Sequence, residues 1–134
     1  MKKLITAGFA ALGVAATFAM VAEANQADRR AAMKQIAGAA KAISQGTDPA
    51  ANAELIAAKA KMIPALFEAN EITGDSKSLP AIWTNFADFS AKGEGLVAAA
   101  MAVKAAAENG GDVGAAAKAM GGACGACHKS YKAK

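Results

Sequence analysis

The chain has 134 residues, of which 54% are hydrophobic and 19% charged, so it can form one compact domain and is too short for a multidomain enzyme. Its 40 alanines and 5% aromatic residues favour closely packed helices over a β-sandwich, because alanine is the best helix former and strands prefer β-branched and aromatic side chains. The formal net charge is +4, but basic and acidic residues are interspersed, which argues against a nucleic-acid partner. Both cysteines and the single histidine fall close together near the C-terminus, and any function must explain that cluster.

Residues 1–24 are expected to form an export signal. Two lysines follow the first methionine, and an apolar stretch from Leu4 to about Ala22 leads to small residues that are typical of a cleavage site after Ala24. The alternative is an uncleaved membrane anchor, since the apolar stretch approaches the roughly 20 residues of a transmembrane helix. Cleavage would leave residues 25–134 as a domain in the bacterial periplasm without stable membrane insertion, a compartment where free thiols are oxidised or modified.

Four helical segments are predicted in residues 25–134, and the first two are separated by a turn. The first runs from about Asn25 to Ser44, and the second from Pro49, with Asp48 as its N-cap, to about Asn70. The expected apolar face of the first is Met33, Ile36, Ala37, Ala40 and Ile43. That of the second is Leu55, Met62, Ile63, Leu66 and Phe67, together with the alkyl stem of Lys59.

Residues 71–80 form the longest predicted loop, and two more helices follow it. The third helix has apolar positions in alternating steps of four and three, the spacing of bundled helices: Ile82, Phe86, Phe89, Gly93, Leu96, Ala100 and Val103. The fourth is expected to be capped by Asp112, with an apolar face of Val113, Ala117, Met120, Cys124, Cys127 and Tyr131. Four amphipathic helices with mostly short links predict an all-α, antiparallel up-and-down four-helix bundle.

The sequence from Cys124 to His128 has the CxxCH spacing at which c-type haem is attached. Thiols three residues apart lie on one helical turn and reach the two haem vinyl groups, and His128 can then bind iron as the proximal axial ligand. Zinc would need a fourth ligand, a thioredoxin-type motif would follow a strand, and a plain disulfide would leave the adjacent histidine unexplained. We therefore predict covalently attached haem c, with its iron, at Cys124 and Cys127.

An exported helical bundle with CxxCH in its last helix, followed by Lys129-Ser130-Tyr131-Lys132, resembles the class II c-type cytochromes, the cytochrome c′ family. The resemblance covers the whole mature chain and includes Arg29-x-x-x-Met33 in the first helix. In five-coordinate members a bulky apolar residue four positions after the arginine leaves the iron open to small gases. The low-spin branch, the cytochrome c-556 and c-554 types, has methionine there. The resemblance thus implies Met33 as the distal axial ligand.

The remaining residues agree with that implication. The chain has no second histidine, Met120 lies on the same helix as His128 and should not reach the opposite haem face, and Met62 and Met101 are expected in the core. Without a haem, Met33 would be interpreted as core packing. Because His/Met ligation suits electron transfer, we predict an electron carrier rather than an enzyme. The alternatives are a five-coordinate protein that binds nitric oxide or carbon monoxide, and a structural bundle with a disulfide.

Basic residues offer a few further expectations. Arg29 matches the first-helix arginine of the family. Together with Arg30, it is predicted to contact the haem propionates or to form a solvated basic turn. Lys129, Lys132 and Lys134 are expected to complement the dipole of the last helix, or to surround the haem edge and attract an acidic periplasmic redox protein. Family members are often dimers, so either a monomer or a homodimer is expected.

Overall fold

The computed structural model describes the backbone of residues 13–134 and the side chains of residues 25–134. The described part contains five helices: α1 Gly13–Ser44, α2 Pro49–Leu66, α3 Ala81–Thr84, α4 Phe86–Glu108 and α5 Val113–Tyr131. Residues 1–12 of the expected signal peptide lie outside this description, as do the side chains of residues 13–24, so its cleavage stays a prediction. None of the described helices combines the length and hydropathy of a membrane span.

The four long helices form the predicted all-α four-helix bundle. Extensive interfaces join α1 to α2, α2 to α4, and α4 to α5, whereas α1 and α5 approach each other at only a few residues. Helices that follow one another in the chain therefore pack side by side, as in an up-and-down bundle. The bundle has one open interface, between α1 and α5.

Small residues bring α2 and α4 close together. The buried residues of these two helices are Ala53, Ile56, Ala57, Ala60 and Ile63 of α2 and Phe89, Gly93, Leu96, Ala100 and Val103 of α4. A side-chain carbon placed on Gly93 would lie 4.0 Å from the carbonyl oxygen of Ala60, so the two backbones pass near each other. Ile56 and Val103 are fully buried between the helices, and each such side chain stabilises the fold by about 1.5–3 kcal/mol.

The predicted core was wrong at four positions. Leu55, Met62 and Met101 were expected on buried faces but are 39%, 47% and 43% exposed, respectively, and Ala37 of α1 is exposed as well. Most positions of α2 are apolar, so the periodic pattern does not locate its buried stripe. The stripe with most alanines faces α4 because it allows the closer approach. The predicted α4 positions from Phe89 to Val103 are buried as expected.

The helix ends also differ in part from the prediction. Asp112 caps α5, because its carboxylate accepts a hydrogen bond from the Ala115 backbone N–H at 2.9 Å. Asp48 does not cap α2: it has a left-handed backbone with φ 37° and its side chain makes no capping bond. The predicted third helix is interrupted at Asn85, whose φ of −128° separates α3 from α4.

The loop between α2 and α3, residues 67–80, is paired with the end of the chain. Ser78 and Lys132 form an isolated antiparallel bridge. Two backbone hydrogen bonds flank it, from the Leu79 N–H to the Tyr131 carbonyl at 3.0 Å and from the Ala133 N–H to the Lys77 carbonyl at 2.7 Å. The loop thus fixes the backbone that leaves α5.

Candidate haem site

The CxxCH sequence forms the last turns of α5. Cys124 and Cys127 are partly buried, neither is in a disulfide, and both pack against the hydrophobic core. Burial raises the pKa of both thiols. Desolvation, followed by the charge of Lys132, lowers the pKa of His128, which favours the neutral imidazole that can bind a metal.

Two cavities follow the open interface between α1 and α5, which we call the α1–α5 slot. The first, about 360 Å³ in volume, is lined by Met33 of α1 and by Cys127 and His128 of α5. The second, about 610 Å³, is lined by Ile43 near the end of α1 and by Cys124. The turn of α1 that carries Met33 thus lies beside the end of α5, and both thiols border the slot.

The slot fits a haem. Its two cavities have the volumes usual for cofactor sites, and their linings are mainly apolar, which suits a porphyrin. The imidazole of His128 and the thioether of Met33, both able to bind iron, come from the two helices that border it. The described part of the chain contains no group of three or more His, Cys, Asp or Glu side chains that could hold a metal ion.

Aromatic side chains form one wall of the first cavity. Phe89 is buried between Phe67 and Tyr131, with edge-to-face ring contacts at centroid distances of 5.1 and 5.3 Å. The Trp83 indole N–H donates a hydrogen bond to the Phe67 carbonyl at 2.7 Å and so fixes the start of the loop. These packed rings keep water from the interior side of the cavity. Phe67, Phe89 and Tyr131 were each expected in the core, but their combination into one wall was not predicted, because they come from the loop and two different helices.

Arg29 lines the same cavity but has a structural role that the sequence analysis missed. The side chain is buried, and its guanidinium donates hydrogen bonds to the carbonyls of Leu66, Ala69 and Glu71 at 2.7, 3.0 and 2.8 Å. It also lies over the Phe67 ring, 4.4 Å from the centroid. The sequence feature that indicates this role is the position of Arg29 on the apolar face of α1, where a charged side chain needs hydrogen-bond partners. The expected contact with a propionate stays a prediction.

The other basic residues lie at the surface. Arg30 forms an exposed ion pair with Asp75, in agreement with a solvated basic turn. Lys132 borders the first cavity, and Lys129 and Lys134 are exposed beyond it. These lysines lie at the C-terminal end of α5, where they complement the helix dipole. The structure therefore brings Met33, Arg29, Cys127 and His128 to one cavity, with Cys124 at its neighbour.

A helical bundle with an apolar slot that CxxCH borders is the architecture of a c-type haem protein, and comparison with known proteins agrees. The family model described as cytochrome c′ matches residues 24–132. Cytochrome c-556 of Agrobacterium tumefaciens (strain II Chrys) is 41% identical over 117 residues, which cover 79% of this chain and 94% of the relative.

Solved structures show the same fold. Cytochrome c′ from Thermochromatium tepidum superposes with a TM-score of 0.75 at 27% identity, covering 84% of this chain and 97% of that one. The nitric oxide complex of a leucine-to-alanine mutant of cytochrome c′ from Alcaligenes xylosoxidans gives a TM-score of 0.72 at 26% identity, covering 84% and 96%. The chain belongs to the cytochrome c′ family, whose members carry covalently attached haem c with its iron.

Proposed function

We propose that this cytochrome is a periplasmic electron carrier with a low-spin haem. Cys124 and Cys127 hold the haem through thioether bonds, His128 is the proximal ligand, and Met33 is the distal ligand. One observation carries the proposal: Met33 reaches the cavity of Cys127 and His128 from the opposite helix. The similarity to a relative named cytochrome c-556 also supports it.

The bound haem supplies one-electron chemistry, and the chain's residues make the transfer easy. A neutral His128 and an uncharged Met33 can stay bound in both oxidation states, so little rearrangement accompanies electron transfer. The aromatic wall around Phe89 keeps the interior side dry and rigid. No catalytic residue is part of this proposal, because carrying an electron requires no acid or base.

Export and partners belong to the same proposal. The basic start, apolar stretch and small residues of 1–24 support secretion to the periplasm. Exposed Lys129, Lys132 and Lys134 near the first cavity support docking of a redox protein with an acidic surface. Salt should therefore slow electron exchange with such a partner. Either a monomer or a homodimer is compatible with this role.

A five-coordinate, gas-binding protein is the second candidate. The structural relative from Alcaligenes xylosoxidans is a nitric oxide complex, and its fold is similar to that of this chain. In that case Met33 would pack in the cavity without binding iron, and the distal face would accept nitric oxide or carbon monoxide.

Absorption spectra of the exported, haem-loaded protein distinguish the two candidates. We expect sharp low-spin bands in both oxidation states that resist carbon monoxide, and a high-spin, carbon monoxide-binding form in Met33→Ala. Met101→Ala is the matched control, because this methionine is exposed on α4 and should leave the spectrum unchanged. A wild-type spectrum that is high-spin, or a low-spin Met33→Ala spectrum, would exclude Met33 as the ligand.

A further inference from the structure

Arg29 connects the middle of α1 to the end of α2 and the loop after it. Its three hydrogen bonds reach carbonyls of Leu66, Ala69 and Glu71, 37 to 42 residues away along the chain. The Leu66 carbonyl belongs to the last turn of α2, where helix carbonyls lack partners within the helix. The planar guanidinium, with donors in a fixed fork, therefore acts as a cap supplied from another helix.

The same side chain fixes part of the cavity wall. Phe67 lies between two of the residues whose carbonyls Arg29 binds, and its ring lies beneath the guanidinium. The Phe67 ring lines the first cavity together with Met33. A shift of Arg29 would therefore move the wall beside the methionine.

Arg29 also lies one helical turn before Met33. Residues four apart occupy the same face of a helix, and both side chains line the first cavity. On the α5 side, few contacts hold α1 in place. The position of this turn is thus determined mainly from the α2 side, where Arg29 makes its hydrogen bonds.

We propose that Arg29 is a positioning residue for the distal ligand: its hydrogen bonds to the Leu66–Glu71 backbone hold the Met33 turn of α1 where the thioether can bind the haem iron. This inference rests on the proposed ligation by Met33. It assigns to Arg29 an effect on iron coordination that does not require a contact with a haem propionate.

The test uses the full haem-loaded protein with Arg29→Lys and Arg29→Gln. Lysine keeps the positive charge but lacks the planar arrangement of donors. Arg29→Lys is therefore the milder variant, and it should fold even if Arg29→Gln does not. We expect a mixture of low-spin and high-spin haem in each, with the larger high-spin fraction in Arg29→Gln. Each tenfold rise in the fraction with Met33 dissociated should increase the apparent carbon monoxide affinity about tenfold.

Lys34→Gln is the matched control. It removes a positive charge from an exposed position of the same helix that lines neither cavity of the slot. Its spin state and carbon monoxide affinity should equal those of the wild type.

The outcomes separate a positioning role from a merely structural one. Arg29 variants that unfold at lower urea concentration but remain fully low-spin while folded would overturn the proposal. Equal effects in Lys34→Gln would also overturn it, because general charge loss would then explain the change. A high-spin wild type would instead show that Met33 ligation itself fails, before any Arg29 variant is measured.

Discussion

The Tyr131 hydroxyl donates a hydrogen bond to the Asp88 carboxylate and so joins the last turn of α5 to the first turn of α4. The bond favours the charged carboxylate and the neutral phenol. It therefore lowers the pKa of Asp88 and raises the pKa of Tyr131 to about 12. Since Tyr131 follows His128 by less than one helical turn, this contact fixes the end of the helix that carries the haem-binding motif.

Tyr131→Phe should reduce stability in a pH-dependent way. Because folding raises the pKa of Tyr131, the tyrosine contributes to the free energy of unfolding below pH 10, and this contribution is lost as the pH rises to about 12. Because folding lowers the pKa of Asp88, the aspartate contributes to the free energy of unfolding above pH 3.8. That contribution is lost as the pH falls through the lower pKa of the folded protein. Urea midpoints of the variant and the wild type should differ most between these limits. A difference that is constant across the pH range would contradict the assignment.

Asp112→Ala should lower the free energy of unfolding by about 1 kcal/mol, because it removes the bond that caps α5. Asp112→Asn should retain most of that stability, since asparagine caps a helix as well as aspartate does. Asp48→Asn should change the value by less than about 0.5 kcal/mol, because Asp48 makes no side-chain capping bond and asparagine tolerates its positive φ. Urea denaturation measures all three, and a loss in Asp48→Asn as large as that in Asp112→Ala would refute the difference between the two positions.

Two glycine substitutions should have opposite effects. Gly95→Ala, in the exposed interior of α4 where a side-chain carbon meets nothing within 4 Å, should increase the free energy of unfolding by about 1 kcal/mol. Gly110→Ala should decrease it by about 1 kcal/mol, because the φ of 70° strains any residue with a side chain. Thermal unfolding followed by circular dichroism tests the pair, and shifts of the same sign would be inconsistent with this backbone argument.

Substitutions of Met120 and Met33 should have different effects on the stability of the fold and on the spin state of the haem. Met120 is 3% exposed in the core, so Met120→Ala should cost about 2 to 5 kcal/mol of unfolding free energy while the haem stays low-spin. Met33 is less buried, and Met33→Ala should change the spin state with a smaller loss of stability. Paired urea titrations and absorption spectra provide the measurement. A high-spin Met120→Ala protein would contradict the proposal that Met33 is the distal ligand.

The buried face of a helix can be predicted from the sequence where its two faces carry different kinds of side chains. The buried residues of α4 could be predicted because large apolar residues recur at a clear spacing, and CxxCH identified the haem-binding helix from its residue types alone. The buried face of α2 could not, since alanine occupies both faces. The partners of Arg29 could not be predicted either, because backbone carbonyls distant in the chain leave no trace in a local pattern.

Because α1 and α5 contact each other at only a few residues, the helices of the bundle should differ in how easily they open locally. Because α2 and α4 each pack against two long neighbours, their amide hydrogens should exchange with solvent only when the whole molecule unfolds. The α1 helix has one extensive interface, so it can detach from α2 in a local opening that leaves the other long helices in place. Under the proposed ligation, each such opening would carry Met33 away from the iron. Hydrogen exchange in α1 and the rate of carbon monoxide entry would then report the same event.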